Sequence, residues 1–299
     1  MSEVAVVIGA GPAGLAAASE LQRRGVDALV LERGPSVATT WRARHDHLSL
    51  NTHRWFSHQP GQRIPRAHGT FPRRDDYVAY LETCSASLRI DVDTNVTSIA
   101  QTDSGWRIAT ADRSIDTVHL IIATGPDLEP VMPDIPGNET FTGHLMHAGA
   151  FATLADADNK VVLIVGPGNS GVDLLNHLVD LNADELWLSA RSGMNIVPAR
   201  WFGVPLHPIA VAARYLPIKA QDATLRVIQR LAFGDLTRYG YATSTIGALT
   251  RVRLDGVAPA IDNGFVAGLK AGRVKIRPGS PESKVLTWLS LTEPPVGHI

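Results

Sequence analysis

The stretch Gly9-Ala10-Gly11-Pro12-Ala13-Gly14 follows the apolar run of residues 4–8, opens a helical pattern and decides the fold. In such a GxGxxG turn the first glycine permits a tight bend, and the second lets backbone approach a pyrophosphate. The third lets the helix pack closely on the strand. Because the helix N-terminus also presents free N–H groups and a positive dipole end to phosphates, the stretch predicts a dinucleotide site.

A second stretch of the same kind, Gly166-Pro167-Gly168-Asn169-Ser170-Gly171, follows the apolar run of residues 161–165. One GxGxxG is weak evidence, whereas two in matched strand–turn–helix contexts favour a protein that holds two dinucleotides and moves electrons between them. The predicted fold class is therefore α/β, with two Rossmann-like dinucleotide-binding domains of the two-domain flavoprotein type.

The residues that follow the second strand of each unit predict which nucleotide is bound. Glu32 lies 23 residues after Gly9, where a carboxylate can bind the hydroxyls of an adenosine ribose. The same offset from Gly166 reaches Ser189, and Arg191 follows. A missing carboxylate with an arginine nearby favours a 2′-phosphate, and hence NADP over NAD. The alternatives are a surface glutamate and a surface arginine at the two strand ends.

Composition excludes several classes of protein. The chain has 299 residues and a net charge of −1, which gives no sign of a nucleic-acid partner or an anionic membrane surface. Its one cysteine, Cys84, rules out an intrachain disulfide and a CxxC pair, and it falls on an apolar helical face as a packing residue. No signal peptide and no apolar run of about 20 residues is found, so a cytoplasmic protein without a membrane span is expected.

The order of elements predicts the domains. A hairpin and a third strand at residues 118–122 run into Ala123-Thr124-Gly125, which suggests an FAD-binding half. We expect an FAD-binding domain over residues 1–150 and an NADP-binding domain over residues 151–278. The latter carries a helical insertion at about residues 200–250, and an atypical tail follows over residues 279–299. The long irregular stretch 39–74 is typical of a segment that covers a ligand.

A further motif points to a family. Residues 141–151 fit FxGxxxHxxxF, with Phe141, Gly143, His147 and Phe151 at the defining positions. With the two glycine turns in this order, the chain resembles the flavin-containing (class B) monooxygenases. It looks most like the plant YUCCA-type enzymes and their bacterial relatives, from about residue 4 to about residue 278.

The resemblance implies a role for each matching residue. Those expected at FAD are Gly9, Gly11, Pro12, Ala13, Gly14, Glu32, Arg33, Trp41, Arg42, Ala123, Thr124 and Gly125. Those expected at NADPH are His147, Gly166, Gly168, Asn169, Ser170, Gly171 and Arg191. Asn51 falls near the place where some members put an asparagine beside the reactive flavin, and it is the candidate catalytic residue.

Three of these predictions have alternatives in ordinary structure. His147 either contacts the cofactor or is a packed linker histidine, and Asn51 is equally well explained as a loop-turn asparagine. Five histidines in the irregular stretch lack closed zinc spacing and cysteine partners, so we predict no metal site there. They are His45, His47, His53, His58 and His68.

The resemblance also implies the reaction. NADPH would reduce FAD, dioxygen would form a flavin C(4a)-hydroperoxide, and this species would oxygenate a small organic substrate. The YUCCA-like features suggest oxidative decarboxylation of an α-keto acid such as indole-3-pyruvate. N- or S-oxygenation and Baeyer–Villiger oxidation stay open, because pocket shape decides the substrate.

The tail departs from the family pattern. After the NADP unit, family members complete the FAD domain with a strand that ends in an ATG-like turn. Residues 279–299 contain no such strand and turn in their sequence pattern. This predicts a flavin pocket that lacks one wall and a sheet with an uncovered edge. Two other functions follow as alternatives: a truncated, non-catalytic nucleotide-binding protein, and a pyridine nucleotide–disulfide-type reductase. The single cysteine argues against the thiol-active form of the second.

Overall fold

The computed structural model describes residues 2–125, 130–132, 138–190, 193–278 and 288–292, which form two compact units. The first comprises Met1–Arg44 and Thr52–Glu129, and the second comprises His45–Asn51 and Pro130–Ile299. The units thus divide before residue 150, because the strand at 144–147 pairs within the second unit and Phe151 is buried in its core.

The elements of the first unit alternate as a βαβ pattern and then form a meander. They are β1 (Ser2–Ile8), α1 (Pro12–Arg23), β2 (Ala28–Leu31), α2 (Thr39–Arg42), α3 (Arg74–Ser85), β3 (Arg89–Asp91), β4 (Val96–Thr102), β5 (Gly105–Thr110) and β6 (Ser114–Ile122).

The sheet of the first unit has the order β3-β2-β1-β6-β5-β4. Strand β1 pairs in parallel with β2 and β6, whereas β4, β5 and β6 pair antiparallel. All four residues of β2 are buried, as expected of a parallel strand covered on both faces. Most of β4 is exposed, so this strand forms the solvated edge of the meander.

Sequence explains where the helices of this unit begin and which faces they bury. Pro12 opens α1, where its missing N–H costs no helical hydrogen bond, and Leu15 and Ala18 are buried beneath it. In α3 the predicted apolar face is confirmed, and Cys84 is buried there. Burial raises the pKa of the Cys84 thiol, as expected for a packing residue.

The second unit adds a sheet, a glycine turn with its helix, and a helical insertion. Its elements are β7 (His144–His147), β8 (Val161–Val165), α4 (Asn169–Leu178), β9 (Glu185–Ala190), β10 (Ile196–Pro198), β11 (Arg200–Trp201), β12 (Val204–Pro205), α5 (Leu206–Ala212), α6 (Ile218–Phe233), α7 (Ala248–Asp255), β13 (Ala260–Asp262), α8 (Phe265–Lys270), β14 (Val274–Pro278) and β15 (Trp288–Thr292).

The main sheet of the second unit has the order β14-β9-β8-β15-β7. Strands β14, β9 and β8 are parallel, whereas β15 runs antiparallel to both β8 and β7. The tail for which the sequence predicted no element therefore supplies a strand inside the sheet. The short alternation Trp-Leu-Ser-Leu-Thr carries no glycine turn, which is why the sequence pattern did not reveal it.

The insertion at residues 200–250 is mostly helical, as predicted, and also contains the β11–β12 hairpin. Helix α6 packs on α7 through the buried Asp222, which accepts hydrogen bonds from the backbone N–H of Leu249 at 2.7 Å and from the Thr250 hydroxyl at 2.5 Å. A side chain at Gly247 would meet the Asp222 carboxylate, so this contact fixes the start of α7. In the described part of the chain, no helix combines the length and apolarity needed to cross a membrane.

Candidate dinucleotide-binding sites

The first glycine turn is shaped by a positive backbone angle and a close packing contact. Gly9 has φ +104° and donates its N–H to the Leu31 carbonyl at 2.8 Å. A Cβ at Gly9 would lie 2.5 Å from the Ala123 carbonyl oxygen. Because both the angle and the space exclude a side chain, glycine is required where β1 turns into α1.

The other two glycines of this turn differ in what surrounds them. A Cβ at Gly14 would lie 1.8 Å from the Gly9 carbonyl oxygen, so the third glycine allows helix and strand to pack. A Cβ at Gly11 would meet nothing within 4 Å, and the turn is therefore open on that side. Gly11 is the N-cap residue of α1 and makes no side-chain hydrogen bond, so first-turn N–H groups such as those of Ala13 and Gly14 can donate to a ligand.

Glu32 is built into the turn. Its carboxylate is buried, with Oε2 accepting from the Ala10 N–H at 2.7 Å and Oε1 accepting from the Gly34 N–H at 2.9 Å. Each carboxylate oxygen has a second lone pair, so both can still accept a hydroxyl donor. The neighbouring Arg33 is exposed.

The remaining residues predicted at the flavin site have varied surroundings. The Trp41 ring packs edge-on against Tyr77, with centroids 5.0 Å apart, and Arg42 forms an ion pair with Glu82 of α3. Thr124 and Gly125 are exposed after β6, and Gly125 has φ +78° with open space at its Cβ position. The flavin-side role of Trp41 and Arg42 stays a prediction, and Arg42 already has a partner in Glu82.

The second glycine turn repeats the first in its backbone geometry. Gly166 has φ +106° and donates its N–H to the Ser189 carbonyl at 3.0 Å. Gly168 caps α4 with φ −73° and ψ −178°, against −81° and −178° for Gly11, and again no side chain caps the helix. The two turns can therefore bind the same kind of phosphate group.

Strand register corrects the position that corresponds to Glu32. Ile8 pairs with Leu31 in the first unit, and Val165 pairs with Ser189 in the second. The residue that corresponds to Glu32 is thus Ala190 and not Ser189, because Ser189 lies 23 positions after Gly166 whereas Leu31 lies 22 positions after Gly9. Either residue leaves the position without a carboxylate. Arg191, which the sequence assigned to the 2′-phosphate, lies outside the described residues.

The first turn of α4 contains an unpaired polar atom. Asn169 Oδ1 is buried and has no hydrogen-bond partner among the described residues. A buried acceptor of this kind needs a donor, which a bound ligand or a water would supply. Ser170 is exposed beside it, and Gly171 is buried against the sheet.

His147 lies at the same end of the strands as the second glycine turn. In the register of β15, Trp288 pairs with both His147 and Val165, so His147 is level with the residue before Gly166. Two strand spacings separate them, about 10 Å. His147 Nδ1 accepts the Gly149 N–H at 3.0 Å and caps a 3₁₀ turn. The histidine therefore orders its own turn and also lies near the predicted NADP site.

One contact in this unit was missed from the sequence. His45 is buried, and its Nε2 lies 2.8 Å from Asp173 Oδ2 in α4. His45 Nδ1 is buried without a partner in the described residues. His45 and Asp173 are 128 positions apart in the sequence, so no local pattern could have revealed the pair.

The segment His45–Asn51 carries further contacts within the second unit. Asp46 accepts a hydrogen bond from the Thr153 hydroxyl at 3.2 Å. Burial by itself would raise the pKa of Asp46, but this hydrogen bond, the nearby His47 and two backbone hydrogen bonds together lower the pKa. Asn51, the candidate catalytic residue, is exposed at the end of the segment, and its role stays a prediction.

The histidines considered for a metal site have separate partners. His53 Nδ1 accepts from the Trp55 N–H, His58 lies on the Gln59 carbonyl, and His68 pairs with Asp76. No group of three metal-binding side chains occurs in the described parts of the chain.

Comparison with known proteins assigns the family. The model of the pyridine nucleotide-disulphide oxidoreductases matches residues 6–198. Indole-3-pyruvate monooxygenase YUCCA1 of Oryza sativa subsp. japonica is 33% identical over 279 residues, covering 91% of this chain and 68% of that protein. The probable indole-3-pyruvate monooxygenase YUCCA1 of Arabidopsis thaliana is 32% identical, covering 93% and 69%. The chain spans about two thirds of the length of these relatives.

Solved structures agree with the fold. A variant of the flavin monooxygenase from Stenotrophomonas maltophilia is 26% identical, with a TM-score of 0.60, and the match covers 72% of this chain and 69% of that one. A structure of OTEMO in complex with FAD and NADP is 17% identical, with a TM-score of 0.67 and coverage of 92% and 65%. The paired glycine turns, the sheet order and these likenesses lead to one conclusion: the chain belongs to the flavin-dependent monooxygenases, within the wider pyridine nucleotide-disulphide oxidoreductase family.

Proposed function

We propose that the chain binds FAD at the first glycine turn and NADPH at the second, and oxygenates a small organic substrate with dioxygen. The observation that carries the proposal is the repetition of one turn geometry, with first-glycine φ angles of +104° and +106° and two helix N-termini without a side-chain cap. Two such turns in one chain provide two pyrophosphate sites.

The first turn fits the adenosine half of FAD. The open side at Gly11 leaves room for the pyrophosphate, and the first-turn N–H groups of α1 would donate to it. Glu32 would accept the ribose hydroxyls through its remaining lone pairs. When bound, FAD supplies the capacity to react with dioxygen, and the chain supplies position and shelter from water.

The second turn fits a phosphorylated dinucleotide. Ala190 at the end of β9 presents no carboxylate to repel a 2′-phosphate, and the sequence places Arg191 next to it. Arg191→Ala should weaken NADPH binding about tenfold or more and leave NADH binding nearly unchanged. Equal weakening of both nucleotides, measured by titration of the purified flavoprotein, would contradict the NADPH assignment.

The relatives support a narrower substrate class. Both plant relatives are named indole-3-pyruvate monooxygenases, so an α-keto acid that undergoes oxidative decarboxylation is the first substrate to test. The assay would follow NADPH oxidation and carbon dioxide release with indole-3-pyruvate. NADPH oxidation with an amine, a sulfide or a ketone and none with α-keto acids would point to another oxygenation. A cytoplasmic location stays part of the proposal.

The two sites can be separated by a matched pair of variants. Gly11→Ala should abolish FAD retention without loss of stability in the absence of ligand, because the new methyl group meets only open space. Gly168→Ala should keep FAD and lose NADPH. The absorption spectrum and nucleotide titration of both variants check this. A Gly11→Ala protein that retains FAD would contradict the first assignment.

The thiol-active form of the alternative reductase function lacks the residues that it needs. A thiol-active reductase needs a pair of cysteines, and this chain has Cys84 alone, buried in α3. A non-catalytic nucleotide-binding protein stays the second candidate. A protein that binds NADPH but takes up no FAD, shown by an unchanged visible spectrum after FAD addition, would favour it.

A further inference from the structure

Helix α6 has a solvent face that is divided lengthwise into an apolar stripe and a basic stripe. The apolar stripe consists of Ala220, Ala223, Val227 and Leu231, all exposed. At about 100° per residue these four positions fall within a sector of about 80° on one side of the helix. Val227 is 57% exposed and Leu231 65%, which is unusual for branched apolar side chains one turn apart.

The basic stripe flanks the apolar one. Lys219, Arg226 and Arg230 are exposed and follow each other along the same helix, adjacent to the apolar sector. The rest of the α6 surface faces the protein, where Asp222 bonds to α7 and Phe233 is buried. The exposed stripes are therefore not needed to hold the helix in its unit.

The turn before α6 also exposes apolar and basic side chains. Tyr215 is 80% exposed and Leu216 52% exposed, and the Arg214 guanidinium lies 4.7 Å from the centre of the Tyr215 ring. Gln221 Nε2 of α6 donates to the Leu216 carbonyl at 2.8 Å, which holds this turn against the helix. Tyrosine and arginine together, with an apolar neighbour, are typical of side chains at a membrane–water interface.

The positive charge around α6 favours an anionic partner for its exposed face. From Arg214 to Gly234 the chain has four Lys or Arg residues and a single acid, the buried Asp222. Just after this segment, Asp235 lies near Arg230, but its hydrogen bonds to Thr237 are the main cause of its lowered pKa. The net charge of −1 for the whole chain conceals this concentration of positive charge.

We propose that the exposed face of α6, with the Tyr215–Leu216 turn, docks on an anionic lipid surface. The apolar stripe would enter the boundary between head groups and acyl chains, and the basic stripe would lie on the negatively charged head groups. A second copy of the chain is a poorer occupant, because α6 and the turn before it would bring four cations and no exposed carboxylate to meet them. The inference does not depend on the proposed enzymatic function.

The test is sedimentation of the 299-residue chain with vesicles. We expect binding to an equimolar mixture of phosphatidylcholine and phosphatidylglycerol, no binding to phosphatidylcholine alone, and loss of binding at high salt. Val227→Glu with Leu231→Glu should abolish binding. Arg226→Gln with Arg230→Gln should weaken it about twenty-fivefold, at about fivefold for each arginine.

A matched control separates this site from general charge effects. Arg23→Gln with Arg24→Gln removes two exposed arginines from the end of α1 and should leave vesicle binding unchanged. Circular dichroism would establish that each variant is folded. Equal binding to neutral and anionic vesicles, or none to either, would overturn the proposal. So would a dimer in light scattering that is broken by the Val227 and Leu231 substitutions, because a second copy would then cover the stripe.

Discussion

The two units of this chain use the same glycine turn but differ in the fourth strand of the sheet order, which is β6 in the first unit and β15 in the second. These two strands run in opposite directions relative to the strand that precedes the turn. In the first unit β6 is parallel to β1 and leads into Ala123, whose carbonyl lies close to Gly9. In the second unit β15 is antiparallel to β8, and the chain enters that strand at Trp288, beside Val165. At the end of the strands that carries the glycine turn, the chain therefore leaves β6 in the first unit but enters β15 in the second.

This difference shows what determines the turn. Gly9 and Gly166 have nearly equal φ angles, and each donates its N–H to the last paired residue of the next strand. Because these features persist whichever way the fourth strand runs, they are set by the β-strand and helix that flank the turn. The fourth strand determines only what packs against the turn.

The largest effect should come from Gly14→Ala. The new Cβ would lie 1.8 Å from the Gly9 carbonyl oxygen, a backbone atom that cannot move without disrupting the β1–α1 packing. We expect a loss of at least about 3 kcal/mol in the free energy of unfolding, measured with urea. Gly11→Ala is the control and should change it by less than about 0.5 kcal/mol. A stable Gly14→Ala protein would show that the turn is looser than its geometry indicates.

The second effect tests the antiparallel strand. Ser290 pairs with Leu163 on one side and Leu145 on the other, so Ser290→Pro removes a backbone donor from a central strand. We expect a loss of about 3 kcal/mol that is confined to the second unit. Hydrogen exchange should show lost protection at residues 161–165 and unchanged protection in β1. Ser290→Ala is the control, and equal exchange in both variants would argue against the placement of β15.

Glu32→Gln should lower the free energy of unfolding by a smaller amount. It tests the difference between the two units at the end of the second strand, where the first has Glu32 and the second has Ala190. An amide has one oxygen, so one of the N–H groups of Ala10 and Gly34 would lose its acceptor and face an NH₂ group. A loss of about 2 kcal/mol is expected for an unmet buried donor. Urea unfolding of the ligand-free protein measures it. An unchanged midpoint would mean that the carboxylate acts only on a ligand.

The smallest effect concerns nucleotide preference. Ala190→Glu places a carboxylate at the register position of Glu32 and should shift binding from NADPH toward NADH, on the order of tenfold. Ser189→Glu is the matched variant, one residue earlier in the strand, and should shift it less. Titration of both variants with both nucleotides decides between the two positions. A larger shift at Ser189 would restore the offset of 23 residues that the sequence predicted.

The sequence was a good guide where structure is local. Glycine spacing, a preceding apolar run and a following helical pattern lie within about 20 residues, so both turns and strand β2 were predicted from neighbouring residues alone. The buried face of α3, with Cys84 in it, followed from the same kind of periodicity.

Long-range pairing could not be predicted in this way. Strand β15 joins β7 and β8 across more than a hundred residues, and its own five residues resemble many surface segments. The pairing of His45 with Asp173 and the offset of one residue at Ala190 also depend on contacts far apart in the chain. Each of these needed the fold before it could be recognised.

The position of β15 also has a consequence for synthesis on the ribosome. Strand β8 gains its neighbour on this side only when residues 288–292 emerge, about 125 residues after β8 itself. At 5–20 residues per second, translation leaves that strand edge waiting on the order of 10 s. The first sheet receives β6 after Ile122, before any of β8 is made. Nascent chains should therefore require chaperone protection for the later unit more than for the earlier one.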